Sequence, residues 1–176
     1  MPVNRFRFGP AQIGETVVYG AQRPGYSSKS VGVEPVREWV VFMTENGIRR
    51  VCCLLPSAQL AYYATDLLEE YRRSFGAPNV CSVGVPDYHL CDPILLREVV
   101  LPFLAESDER DAPVVVHCSG GSGRTGHVLA AWLVDGRGLS TDQALTAVVA
   151  TGRNPREAVG CGNATHDQLR QLLSGS

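Results

Sequence analysis

A chain of 176 residues that is 44% hydrophobic and 19% charged carries one domain's worth of globular sequence. A domain of this length buries roughly 70% of the surface its unfolded chain exposes, which excludes disordered, collagen-like and staple-dependent small scaffolds. Sixteen basic against eighteen acidic side chains leave a formal charge of −2 and an isoelectric point near 6.1, so no global field favours nucleic acid or a membrane surface.

From the N-terminus, residues 1–8 lack the apolar core of a signal peptide. No later run approaches about 18 consecutive apolar residues, which predicts a cytoplasmic location. Apolar, β-favouring runs at 16–19, 50–55, 80–85 and 112–117 are bounded by Gly, Pro or Asn and predict strands. Helical periodicity falls between them: 34–46 ending at Gly47, 59–75 ending at Gly76, and 93–106 opening with Asp92 as N-cap and Pro93 in the first turn. Beyond His117 the pattern is helical at 124–135, 141–151 (capped by Ser140) and 164–173, while 22–33 reads as the least structured surface loop. Strands alternating with helices predict an α/β fold. It is a single domain over 1–176, its core at about 16–173, with a mainly parallel sheet of four to five strands flanked by helices.

Six cysteines stand at 52, 53, 81, 91, 118 and 161 without metal-ligand spacing, so free thiols, no metal and no cofactor are expected. One of them is set apart by its context. The strand 114–117 runs into Cys118-Ser119-Gly120-Gly121-Ser122-Gly123-Arg124-Thr125-Gly126, and a helix follows at once. Three glycines and two serines let the backbone curl so that successive N–H groups point inward, which at a helix N-terminus makes an anion site. Cys118 sits at the base of that nest, where inward amides and the helix dipole favour thiolate. Arg124 closes the loop with a planar fork matched to two phosphate oxygens, and the Thr125 hydroxyl is placed to donate to the sulfur. A nucleotide-binding loop of the Gly-Lys-Ser/Thr kind would need a lysine, and Lys29 is the chain's single one.

His117-Cys118, five small residues, then Arg124-Thr125 resemble the H-C-x5-R-S/T signature of the cysteine-based protein tyrosine phosphatase superfamily. Its position, two-thirds along the chain, is similar to that in the compact dual-specificity branch. Tyr19-Gly20-Ala21-Gln22-Arg23-Pro24, Gly47-Ile48-Arg49-Arg50-Val51 and Arg137-Gly138-Leu139-Ser140 resemble further segments of the same family, so the likeness covers roughly 17–173. It implies a dual-specificity phosphatase-like fold. It also implies hydrolysis through a cysteinyl phosphate, with Cys118 as nucleophile, Arg124 and the amides of Ser119, Gly120, Gly121, Ser122 and Gly123 as the phosphate cradle, and His117 as support for the loop.

Expelling an alkoxide or phenoxide needs a proton donor, and the same group can then activate water. Asp87, 31 residues before Cys118 in Val85-Pro86-Asp87, matches the family's acid loop; Asp92, whose capping role already accounts for it, is the competitor. Gln168 is a further candidate for positioning water, although the tail before it is longer than the family's usual spacing. Arg153 and Arg156 are candidates for a substrate flank or for plain solvation. His127 and His166 are read as surface or packing residues. The loop lacks the lysines common in phosphoinositide-directed members, which favours a phosphorylated protein or peptide partner, phosphotyrosine before phosphoserine or phosphothreonine. Phosphatases of RNA 5′ ends, inositol phosphates or phosphosugars are the first alternative; a non-catalytic phosphopeptide-binding module and rhodanese-type sulfur transfer are the others. The sequence leaves the oligomeric state open.

Overall fold

The computed structural model describes residues 4–176; residues 1–3, the start of the N-terminal segment discussed above, lie outside the described residues. Strands β1 (Gly9–Pro10), β2 (Val18–Ala21), β3 (Arg50–Cys53), β4 (Val80–Ser82) and β5 (Val114–His117) form one sheet in the order β1-β2-β5-β3-β4. The four larger strands are parallel and β1 runs antiparallel to β2, giving the mainly parallel α/β sheet that the alternating pattern predicts. In chain order the helices are α1 (Val33–Glu45), α2 (Ser57–Leu60), α3 (Leu67–Phe75), α4 (Pro93–Leu95), α5 (Leu101–Glu109), α6 (Gly123–Arg137), α7 (Thr141–Ala150), α8 (Glu157–Gly160) and α9 (His166–Ser174).

The central strands read as continuous apolar runs because both faces of the sheet are covered. On one face Cys52, Val114 and Val116 pack with Leu129, Trp132 and Leu133 of α6 and with residues of α5, α7 and α9. On the other, Val51, Cys53 and Val115 pack with Val36, Trp39 and Met43 of α1 and Leu67 and Tyr71 of α3. All four β5 residues are buried, so the strand aims the chain that follows it from the middle of the sheet with little freedom. No helix among the described residues is long and apolar enough to cross a membrane.

Five features differ from the reading of the sequence. The first strand starts two residues later than predicted because Glu15 accepts from the amides of Val17 and Val18 at 3.1 and 3.3 Å, closing a turn where the apolar run begins. The two-residue β1 is too short to leave a pattern, and its Pro10 sits at the sheet edge, where a missing N–H does little harm. The single helix predicted over 59–75 is two helices: Val31 pairs with the 62–64 backbone, and Asp66 accepts from Glu69 N at 3.1 Å to start α3 afresh. That pairing also fastens the 22–33 segment, predicted to be loosely structured, and the Tyr63 hydroxyl adds a bond to Pro24 O at 2.8 Å. Between α4 and α5 lies a π-helical turn over Leu96–Val100, just before Pro102, whose ring cannot supply an N–H and crowds the carbonyl four residues back.

Candidate active site

The chain leaves β5 at His117, turns through residues 118–122 and enters α6 at Gly123. Gly121 holds the turn at φ +72°, and a Cβ there would stand 2.7 Å from the backbone of Ala21 and Gln22, so glycine is required on two counts. Among the described residues the amides of Ser119, Gly120, Gly121, Ser122 and Gly123 find no acceptor, and all of these residues but Gly121 line a pocket of about 130 Å³ that Cys118, Arg124, Asp87, Glu157, Tyr26 and Tyr88 complete. Thr125 Oγ1 donates to Cys118 Sγ at 3.1 Å, and both side chains are buried.

His117 is turned away from the sulfur. Its Nδ1 lies 3.1 Å from the Cys118 carbonyl, which can only accept, so Nδ1 carries the proton; the bare Nε2 then accepts from the Tyr71 hydroxyl at 3.0 Å. Burial pushes the imidazole pKa down to about 4, against the pull of the Cys118 carbonyl and with help from Arg124, so the ring is neutral at physiological pH. The histidine is thus bonded to the loop's backbone at Cys118 and is stacked edge-on against Trp39 and Tyr71.

Arg124 is buried and meets three partners. Its Nη1 donates to Gln59 Oε1 at 2.8 Å and Val85 O at 3.0 Å, and its Nη2 pairs with Asp87 Oδ1 at 3.1 Å. Gln59 Nε2 closes the triangle on Asp87 Oδ2 at 3.2 Å. Arg23, also buried, supports the opposite wall: its Nε donates to Ser119 Oγ at 2.9 Å, and its amide to Ser119 O at 3.0 Å.

The remaining sequence candidates separate by position. Asp87 is in the pocket, half-exposed, on a loop held by Asn163 Nδ2 donating to Tyr88 O at 2.9 Å. Asp92 is outside the pocket, its Oδ1 accepting from Ile94 N and Leu95 N at 2.9 and 3.0 Å as a helix cap. Gln168 is likewise outside: its Oε1 accepts from Thr165 N at 2.9 Å in a capping box, and it lines a separate cavity of about 450 Å³ behind the acid loop. Arg156 is half-buried at the start of α8 and does not line the pocket. Arg153 is neither solvated nor on a substrate flank; it is buried, donating through Nη2 to Arg7 O and Gly9 O at 3.0 and 3.3 Å.

Sequence reasoning missed Gln59, Tyr71 and Glu157. His127, read as surface or packing, is buried and structural, its Nε2 accepting from Cys91 N at 3.0 Å and its Nδ1 donating to Gly123 O at 3.2 Å. A lone Gln or Tyr inside a helical pattern, or a lone Glu between two such patterns, gives no local sign that tertiary contacts will bring it to a loop far away in sequence.

Among curated protein sequences none matches this chain. The family model described as the Swiss Army Knife protein, DSP-PTPase phosphatase domain (PTP-SAK), matches residues 34–174. Among solved structures the chain is similar to Tk-PTP in its active form, with 25% identity and a TM-score of 0.65 over 88% of this chain and 92% of that one. PTPMT1 in complex with PI(5)P gives 12% identity and a TM-score of 0.68 over 96% and 95% of the two chains. P. aeruginosa TpbA, in a cysteine-to-serine form with pTyr, gives 20% identity and a TM-score of 0.54 over 92% and 88%. A phosphatase family match over four-fifths of the chain, joined to the fold and the loop described above, settles the affiliation: this protein is a cysteine-based phosphatase domain of the PTP-SAK family, a compact dual-specificity-like member of the protein tyrosine phosphatase superfamily.

Proposed function

We propose that the domain hydrolyses phosphomonoesters on proteins, phosphotyrosine in preference to phosphoserine or phosphothreonine, through a cysteinyl phosphate. The observation that carries the substrate class is the pair of half-exposed tyrosines that line the pocket, Tyr26 and Tyr88. Two rings beside a phosphate-sized cradle offer stacking surfaces to a phenyl ester, each aromatic pair contributing about 0.5–1.5 kcal/mol beyond its area, and give little to an aliphatic one.

Cys118 Sγ attacks phosphorus, forming the S–P bond as the P–O bond to the leaving group breaks, with the loop amides and Arg124 holding the equatorial oxygens. Arg124 is held at Nη1 by Gln59 and Val85 O, so an arriving phosphate competes with Asp87 for Nη2. Freed from Arg124, the Asp87 carboxylate takes up a proton from solvent as the anion enters and passes it to the leaving oxygen. In the second half it takes a proton from water, whose oxygen bonds phosphorus as S–P breaks, and the returning thiolate is received by the Thr125 hydroxyl.

A panel of phosphotyrosine, phosphoserine and phosphothreonine peptides, inositol phosphates and 5′-triphosphate RNA tests the substrate class. Phosphotyrosine peptides are expected to give the highest kcat/KM; a higher value on an inositol phosphate or RNA would replace the protein reading. Asp87→Ala is expected to lower kcat about 10²–10⁴-fold for leaving groups of high pKa and much less for p-nitrophenol. Asp92→Ala is expected to leave that dependence unchanged and to cost only cap stability of about 1 kcal/mol, read by thermal unfolding. The reverse ranking would move the acid role to Asp92.

A further inference from the structure

A second carboxyl faces the phosphate cradle without a partner. Glu157, the first residue of α8, is half-buried and lines the same pocket as Cys118, Ser119, Gly120 and Arg124. Its carboxylate lies directly over Gly123, so that a Cβ at Gly123 would overlap it and force the Glu157 side chain to shift. Among the described residues it accepts no hydrogen bond and lies in no ion pair, whereas Asp87 across the pocket is held by Arg124 and Gln59.

The charged groups that bear on Glu157 are Asp87 from the acid loop, Arg124 from α6 and Arg7 from the N-terminal segment, with Arg156 next to it in the chain. Burial is the largest influence and Asp87 adds to it; together they outweigh Arg124 and Arg7 and raise the carboxyl above the ordinary carboxylate range. A bound phosphate adds more negative charge to the same small space. An ionised Glu157 would repel it, whereas a protonated one turns the same contact into an O–H donor to a phosphoryl oxygen.

We infer that Glu157 is a proton-linked specificity residue of the phosphate pocket: it takes up a proton as the anion enters and donates that proton's hydrogen bond to it. Anion affinity therefore falls as pH rises. This rests on the pocket being the phosphate site, as the proposed function has it.

Sulfate is the probe, because it stays a dianion across the working range and brings no proton of its own. The Cys118→Ser/Asp87→Asn form takes the sulfur and the acid-loop carboxyl out of the proton balance. Calorimetric titration of this form with sulfate, between about pH 5.5 and 8 and in buffers of different ionisation enthalpy, reads proton uptake and affinity together. Uptake approaching a proton per sulfate is expected, with affinity falling by up to about tenfold per pH unit where the free carboxyl is ionised. Adding Glu157→Gln should abolish the uptake and make the affinity flat with pH. Glu157→Ala should also be flat but bind more weakly than Glu157→Gln, since it offers no donor. Sulfate binding without uptake, or uptake that survives Glu157→Gln, overturns the inference alone. No sulfate binding at any pH overturns the phosphate-site reading and this inference with it.

Discussion

Cys118→Ser is expected to lower turnover of p-nitrophenyl phosphate at least about 10⁴-fold while leaving sulfate binding intact. A serine hydroxyl becomes a competent nucleophile only when a base takes its proton, and the nearest histidine cannot serve. His117 points its proton-bearing Nδ1 at the Cys118 carbonyl and commits Nε2 to the Tyr71 hydroxyl. Thr125 Oγ1 is arranged to donate to the atom at that position and so supports an anion there instead of removing a proton. Binding survives because the amides of residues 119–123 and Arg124 are untouched by the substitution. Steady-state assays beside calorimetry with sulfate check both halves, and residual turnover near the starting rate would remove the cysteine from the reaction.

Arg124→Ala is expected to cost about 10³-fold or more in kcat/KM, some 4 kcal/mol of transition-state stabilisation. Arg124→Lys is expected to recover little of it. The guanidinium meets three partners at once: Gln59 Oε1, Val85 O and Asp87 Oδ1. An ammonium is a point charge that cannot reproduce a fork. Either substitution also leaves the Val85 carbonyl and the Gln59 amide short of a donor, so thermal unfolding should be followed alongside the kinetics. A lysine variant with unchanged kcat/KM would show that the loop amides alone carry the phosphate.

The nucleophilic loop was legible because its chemistry is contiguous: Cys118, the small residues and Arg124 sit in one stretch between a strand and a helix, and backbone geometry alone brings them together. The parallel sheet was legible for a related reason, since β3 and β5 are buried on both faces and need unbroken apolar runs. The supporting groups were hidden because each is a single side chain delivered by tertiary contact. Gln59 reaches Arg124 only because the 59–75 pattern breaks after Leu60, and periodicity continues smoothly across a break made by backbone pairing with Val31. Asp92 and Gln168 show the converse: a carboxylate and an amide with plausible chemistry, each already committed to a helix N-terminus.

His127 decides how the acid loop can move. By joining Gly123 O to Cys91 N it pins the far end of the loop to the first turn of α6, so the segment that carries Asp87 is a short arm anchored at both Val85 and Cys91. Burial holds the pKa of this imidazole down at about 4, with the Gly123 carbonyl opposing, so the pin keeps its accepting nitrogen throughout the neutral range. On the proposed reading, any displacement of Asp87 is thereby confined to the few residues from Pro86 to Leu90, a stretch that Asn163 also holds at Tyr88 O.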